Sequence, residues 1–88
     1  MDFLHQSFDL RAGDSVVLDC NTQCNFMLLD DHNFHAYQSG GGFKYFGGHF
    51  KRFPARITAP STNRWHAVVD IGGSRATIRY SLRVLKSA

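Results

Sequence analysis

The sequence of 88 residues contains no glutamate, and all seven of its acidic residues are aspartate. Glutamate is a good helix former whereas aspartate prefers turns and helix caps, so this composition argues against long helices. No apolar stretch approaches the ~20 residues of a transmembrane helix, and residues 1–6 lack the basic patch and apolar run of a secretion signal. We therefore predict a cytoplasmic protein that does not insert into a membrane.

Cysteine is scarce as well, with only Cys20 and Cys24, and both are expected to be reduced thiols in the cytoplasm. Together with His32 and His35 they offer the ligand types of a zinc site. The spacing does not fit one, because seven residues separate Cys24 from His32 where a zinc finger has about twelve. We predict no bound metal and no other cofactor.

The charge is small, with ten Lys and Arg against seven Asp and a net charge of +3. This excess is too small to indicate a nucleic-acid-binding protein. The sequence also lacks a Gly-x-Ser-x-Gly nucleophile motif and a Walker lysine loop, which favours a non-catalytic role. At this length a single β domain spanning residues 1–88 is expected, and its small core leaves oligomerisation open.

Apolar residues recur with the period of two that is typical of strands. Strands are predicted at 3–10, 15–19, 25–30, 43–46, 49–57, 64–71 and 75–85, the first three forming a β-meander. Two Gly-Gly pairs, at 47–48 and 72–73, are predicted as turns, and a single helical turn is expected to bear Phe34 and Tyr37. The pattern predicts an all-β fold, a small antiparallel barrel or sandwich with at most one short helical turn.

The last two predicted strands alternate most clearly between apolar and polar residues. If the Gly-Gly turn at 72–73 joins them as a hairpin, one face of each strand faces the interior. The predicted interior residues are Trp65, Ala67, Val69, Ile71, Ile78, Tyr80, Leu82 and Val84.

Two segments are distinctive: Tyr-Phe-Gly-Gly-His-Phe at 45–50 and Trp-His-Ala-Val-Val-Asp-Ile-Gly-Gly at 65–73. With Pro54 and the closing segment 79–85 they make essentially the whole chain similar to a bacterial family, domain of unknown function 1883. The resemblance implies an all-β, barrel-like domain that occurs alone or beside Toll/interleukin-receptor-type domains. No catalytic residues are known for the family, so the resemblance assigns none, and the cysteine pair departs from its pattern.

Aromatic and polar residues gather around the glycine-rich segments. Glycine allows a backbone to approach a ligand closely, and aromatic rings with polar groups suit sugars or bases. We predict a pocket for a small-molecule ligand or a protein partner, closed over by residues 33–42. The alternative is that the aromatic residues are core and the glycines serve turns. The predicted contacts are Asn33, Tyr37, Tyr45, Gly47, Gly48, His49, Trp65 and Asp70.

Arginines provide an alternative function. Arg75, Arg79 and Arg83 share one face of the last predicted strand. Lys51, Arg52 and Arg56 extend this face if the strands are neighbours. Such a face could bind phosphate or nucleic acid, although an ordinary solvated sheet face is favoured. A third hypothesis is catalysis by a His49–Asp70 dyad, which requires their strands to be adjacent.

Overall fold

The computed structural model describes residues 3–71 and 78–87, which form strands and one helix. In chain order the elements are β1 (Leu4–Leu10), β2 (Ser15–Cys20), β3 (Cys24–Leu29), α1 (Asp31–Gln38), β4 (Phe46–Phe50), β5 (Ala55–Thr58), β6 (Asn63–Asp70) and β7 (Tyr80–Leu85).

The strands form two antiparallel sheets. Sheet A has the order β1-β6-β3-β4, and sheet B has the order β5-β2-β7. The two sheets pack face to face as a sandwich and are not closed into a barrel, so the all-β prediction is confirmed in its sandwich form. The interior contains apolar side chains of both sheets, among them Leu18 and Ile57 of sheet B and Phe26, Leu28 and Val69 of sheet A.

The face of sheet A that points away from sheet B, here called the outer face, is covered by α1. Met27 and Leu29 of β3 and Val68 of β6 pack there against Phe34 and Tyr37 of the helix. The two central strands of sheet A are therefore buried on both faces. Strands with two buried faces have continuous apolar runs, which explains the runs at residues 26–29 and 67–69.

Helix α1 is eight residues long, so it extends beyond the single turn that the sequence predicts. Its N-cap is Asp30, whose Oδ1 accepts a hydrogen bond of 2.8 Å from the backbone N–H of Asn33. After Ser39 the chain turns at Gly40, which has a left-handed φ of 79°. Within the part of the chain that the structure describes, no helix is long and apolar enough to cross a membrane.

Two predicted pairings are wrong. The first three strands do not form a meander, because β2 lies in sheet B whereas β1 and β3 both pair with β6. The last strand pairs with β2 and not with β6. Trp65, Ala67 and Val69 are buried as predicted, and Leu82 and Val84 pack partly against the same core, but Tyr80 is 46% exposed. The predicted Gly72-Gly73 turn lies outside the described residues.

The middle of the chain also differs from its prediction. Gly47 and Gly48 lie inside β4 and do not form a turn between strands. Residues 49–57 are divided between two sheets, since the chain leaves sheet A after Phe50 and joins sheet B at Ala55. Pro54 falls in this link, where its missing N–H costs no ladder hydrogen bond.

Gly47→Ala is expected to destabilise the protein by at least about 2 kcal/mol, because the position combines backbone strain with a steric clash. Its φ is +115°, and an added Cβ would overlap the carbonyl oxygen of Phe26 and lie 2.7 Å from Cδ1 of Ile57. Gly42→Ala is the matched control, since a Cβ there meets nothing within 4 Å. Urea unfolding measures both variants, and equal midpoints for the two would show that Gly47 is not constrained.

Candidate functional site

An open cleft of about 410 Å³ lies on the outer face of sheet A, beside the end of α1. Five residues predicted as ligand contacts border it, namely Tyr37, Tyr45, Gly48, His49 and Asp70. They come from α1, the segment before β4, β4 itself and the end of β6. The fold thus brings together side chains that are up to 33 positions apart in the sequence, as Tyr37 and Asp70 are.

Three further residues line the cleft without having been predicted: Asn25, Met27 and Phe43. Asn25 lies in the middle of a cross-strand row, because it pairs in register with Asp70 of β6 and with His49 of β4. The signal in the sequence was a single polar residue at the start of an otherwise apolar strand. Phe43 follows directly after the glycines at 40–42, which were predicted only as part of a loop.

The hydroxyl of Tyr37 anchors the helix to the end of β6. It donates a hydrogen bond of 2.9 Å to Oδ2 of Asp70. Burial, and secondly this hydrogen bond to a carboxylate, raise the pKa of Tyr37 to about 12. The phenol therefore remains a protonated donor at neutral pH and holds the Asp70 carboxylate at the edge of the cleft.

His49 and Asp70 do not form the dyad that the third hypothesis requires. Their strands are not neighbours, because β3 lies between β4 and β6. Nδ1 of His49 lies 3.2 Å from Oδ1 of Asn25, and its Nε2 lies 3.4 Å from Oε1 of Gln23. The imidazole is therefore oriented by amide groups of β3 and the turn before it, and not by a carboxylate.

Aromatic rings form the other wall of the cleft. Phe43 lies between Tyr37, at 5.1 Å between ring centroids in an edge-to-face arrangement, and Tyr45, at 5.6 Å. Tyr45 remains 47% exposed. A large ring at the rim of a concave site offers an apolar face to a ligand while its hydroxyl remains hydrated.

Trp65 and Gly47 are not brought to the cleft. Trp65 is 4% exposed in the interior between the sheets, where its Nε1–H donates to the carbonyl of Ser61 at 3.0 Å. Asp70 lies five positions further along the same strand, and side chains an odd number of positions apart point to opposite faces. A side chain at Gly47 would meet Ile57 of the interior.

Asn33 positions the segment that builds the cleft. Its Oδ1 accepts a hydrogen bond of 2.8 Å from the backbone N–H of Lys44, and its side chain also donates to Asp30. Asn33 lines a neighbouring depression. Phe43 lines both this depression and the cleft. Asn33 thus ties the start of α1 to residues 43–45 and lies outside the cleft itself.

The candidate zinc ligands lie on opposite sides of sheet A. Cys24 is buried among the interior residues, whereas His32 and His35 are on the exposed surface of α1 over the outer face. Burial raises the pKa of the Cys24 thiol to about 11. In residues 3–71 and 78–87, no three potential metal ligands converge.

The arginine face lies on sheet B. Arg56 of β5 and Arg83 of β7 are both in register with Val17 of β2, so the two cations flank this residue on the same face. Nε of Arg56 donates to Oγ of Ser15 at 2.9 Å. Arg79 precedes β7, where its backbone N–H donates to Oδ1 of Asn21, and Arg75 lies outside the described residues.

A second polar cluster, which was not predicted from the sequence, lies on the outer face of sheet A near β1. Nε2 of His66 donates to Oδ1 of Asp31, because a carboxylate can only accept. In neutral His66 the other nitrogen is then an acceptor, so Nε2 of His5 donates to it at 2.8 Å. The signal was His66 itself, a polar residue within the buried part of β6.

The ring of Phe34 stacks on both imidazoles, with centroids 4.2 Å from His5 and 4.3 Å from His66. Burial lowers the pKa of His5, and electrostatic interactions with His66 and Arg64 lower it further. The hydrogen bond from His66 is the largest cause of the lowered pKa of the Asp31 carboxyl. The cluster therefore holds the start of α1 against β1 and β6.

The protein is thus an antiparallel β-sandwich in which a helix covers one sheet. An open cleft lined by aromatic and polar residues lies beside that helix. The chain belongs to the family described as a domain of unknown function, DUF1883, which matches residues 1–88 and confirms the resemblance seen in the sequence. Comparison with curated proteins and with solved structures found no match.

The free energy of unfolding is expected to decrease as the pH falls through about 6.5, the ordinary imidazole pKa. Because the folded state lowers the pKa of His5, the unfolded chain binds the additional proton first. The stabilisation that neutral His5 contributes is thus fully present above about pH 6.5. It is lost as the pH falls toward the lower pKa that His5 has in the folded state.

Urea unfolding between neutral pH and about pH 5 measures this loss across the histidine range. His5→Asn removes the titrating ring and should flatten the profile, whereas His32→Asn, at an exposed position on α1, should keep the wild-type slope. Equal slopes in all three proteins would contradict the assignment to His5.

Proposed function

We propose that this protein is a non-catalytic small-molecule-binding module and that the cleft on the outer face of sheet A is its site. The observation that carries the proposal is the convergence of aromatic side chains with polar side chains from three strands around one concave volume. Its volume of about 410 Å³ falls within the range of ligand pockets, about 300 to 1,000 Å³. A concave shape favours a small ligand over a protein partner.

The arrangement of His49 and Asp70 supports binding over catalysis. Catalysis by a His–Asp dyad needs the imidazole and its orienting carboxylate within hydrogen-bond reach. Here β3 separates the two residues, and Asn25 takes the place of a carboxylate partner for His49. Asp70 is in turn engaged by Tyr37, which holds it as a binding group.

The test is a titration of ¹⁵N-labelled protein with a panel of methyl glycosides, nucleosides, amino acids and inorganic phosphate. We expect at least one compound to give saturable amide shifts centred on Gly48, His49 and Asp70. His49→Ala should abolish these shifts while the melting temperature changes little, because the side chain is exposed.

His35→Ala is the matched control, since His35 is an exposed histidine on α1 that does not border the cleft. It should bind like the wild type. A His49→Ala variant that unfolds readily would show that His49 is structural, and shifts confined to other surfaces would place the site elsewhere.

A second candidate function is weak nucleic-acid binding through the face of sheet B that bears Arg56 and Arg83. The favouring observation is that both arginines flank Val17 in register. Val17 is only 3% exposed, as expected if long cationic side chains lay their stems over it and point their charges outward. Two guanidinium groups on one face suit phosphate oxygens.

Fluorescence anisotropy with a single-stranded oligonucleotide tests this candidate. The double variant Arg56→Gln/Arg83→Gln should bind less tightly, and its slope of log K against log salt should fall by about 0.7 for each phosphate that is no longer neutralised. Arg11→Gln/Arg64→Gln removes the same charge from positions outside sheet B and serves as control. Equally weakened binding in both double variants would indicate only a net-charge effect.

A further inference from the structure

The two cysteines lie on either side of the turn that joins β2 of sheet B to β3 of sheet A. We propose that Cys20 and Cys24 are a site of reversible oxidation, at which a small-molecule disulfide converts their thiols into one disulfide that bridges the two sheets. The inference is independent of the cleft and of the arginine face. It rests on the placement of the two side chains, on the anchored turn between them and on their unequal exposure.

Both cysteine side chains point into the space between the sheets. Cys24 belongs to the interior cluster, and Cys20 packs against that cluster. The alternation of each strand agrees, since Cys20 shares a face with Leu18 and Cys24 shares a face with Phe26. Burial raises the pKa of the Cys24 thiol to about 11, and the electrostatic effect of the Cys20 thiol and a hydrogen bond with it raise this pKa further. The two thiols are therefore neighbours.

The turn between the cysteines is short and anchored. It consists of residues 21–23. The backbone N–H of Asn21 donates to the carbonyl of Arg79 at 3.1 Å, and its Oδ1 accepts from the backbone N–H of Arg79 at 2.9 Å. Because these two hydrogen bonds hold the turn, the thiols stay close together, which favours their reaction with each other over reaction with a second protein molecule.

Unequal exposure sets the order of the reaction. Cys20 is partly exposed and borders an open hollow of about 360 Å³, whereas Cys24 is only 1% exposed. A small disulfide in solution can therefore reach the sulfur of Cys20 but not that of Cys24. Cys24 needs no access to solvent, since the sulfur that it attacks is the one on Cys20.

The chemistry consists of two thiol–disulfide exchanges. The thiolate of Cys20 attacks one sulfur of oxidised glutathione, whose S–S bond breaks, and one glutathione leaves as its thiolate. The thiolate of Cys24 then attacks Sγ of Cys20 and releases the second glutathione. The two cysteines lose two protons and two electrons, and the oxidant takes up both to give two molecules of reduced glutathione. An excess of reduced glutathione reverses the reaction.

The test treats the folded, reduced protein with oxidised glutathione and measures its mass after acid quenching. The wild type should lose two hydrogen atoms, carry no glutathione and remain monomeric. Cys24→Ala should retain one glutathione on Cys20, because the second thiol is missing. Cys20→Ala should stay unmodified while it is folded, since Cys24 is buried, and should react once urea unfolds it.

The wild-type protein decides the proposal even if a variant does not fold. A lasting glutathione adduct, a disulfide-linked dimer or two unreacted thiols in the treated wild type would each overturn it. Glutathione on folded Cys20→Ala would overturn the order of the two steps.

Urea unfolding tests whether the disulfide fits the native sandwich. The oxidised wild type should unfold at a higher urea concentration than the reduced protein, because a cross-link between residues 20 and 24 restricts the unfolded chain. A reducing agent should abolish this difference, and Cys20→Ala treated in the same way should show none. An unchanged or lower midpoint after oxidation would show that the sheets have to move to form the bond, and it would overturn the proposed geometry.

Discussion

Val68 and Val69 are neighbours in β6, and both are almost completely buried, one under α1 and the other against sheet B. This strand is the element on which the remaining structure depends, because it pairs with β1 on one side and β3 on the other. Its alternation places Trp65, Ala67 and Val69 in the sandwich and His66, Val68 and Asp70 on the helix side. Any shift of register by one residue would exchange these two sets.

Two polar residues on the helix side of β6 fix the helix at its two ends. His66 binds Asp31 at the start of α1, and Asp70 accepts from Tyr37 near its end. Phe34 lies between these anchors and stacks on His66. A helix of eight residues has little stability of its own in water, so its position depends on these contacts. The cleft beside Tyr37 consequently depends on the same polar contacts as the helix.

Much of the secondary structure was predictable because it depends on local pattern. Alternating residues identified most of the strands, and the polar residues at 31–33 indicated a helix cap. The N-cap itself is Asp30, which had been assigned to the preceding strand. The pairing of β7 with β2 was not predictable in this way, since it joins residues at least 60 positions apart, such as Cys20 and Tyr80. A Gly-Gly dipeptide suggests a hairpin by proximity, whereas burial of the strands between two sheets decided their actual partners.

The same difference between local pattern and long-range pairing decided which residues of the candidate site could be predicted. Tyr45, Gly48 and His49 were identified together because they are close in sequence, and Asn25 was missed because only strand pairing brings it there. The error over Trp65 had a different cause. Trp65 and Asp70 were assigned to one pocket although they lie five positions apart on one strand, and that spacing already excludes a common face. The alternation of side chains along a strand therefore limits which residues can share a functional site, as it limits which residues can share a core.

The sandwich also separates two polar surfaces. The helix side carries Asp31 and Asp70 together with Arg64, whereas Arg56 and Arg83 flank Val17 on the other sheet, with the apolar interior between the two faces. A ligand in the cleft and a polyanion on the arginine face would thus contact different strands, since β3, β4 and β6 build one surface and β5, β2 and β7 the other. The apolar interior prevents side chains of one face from reaching the other. Coupling between the two surfaces would have to pass through packing in the core, whose close-packed side chains leave few alternative arrangements.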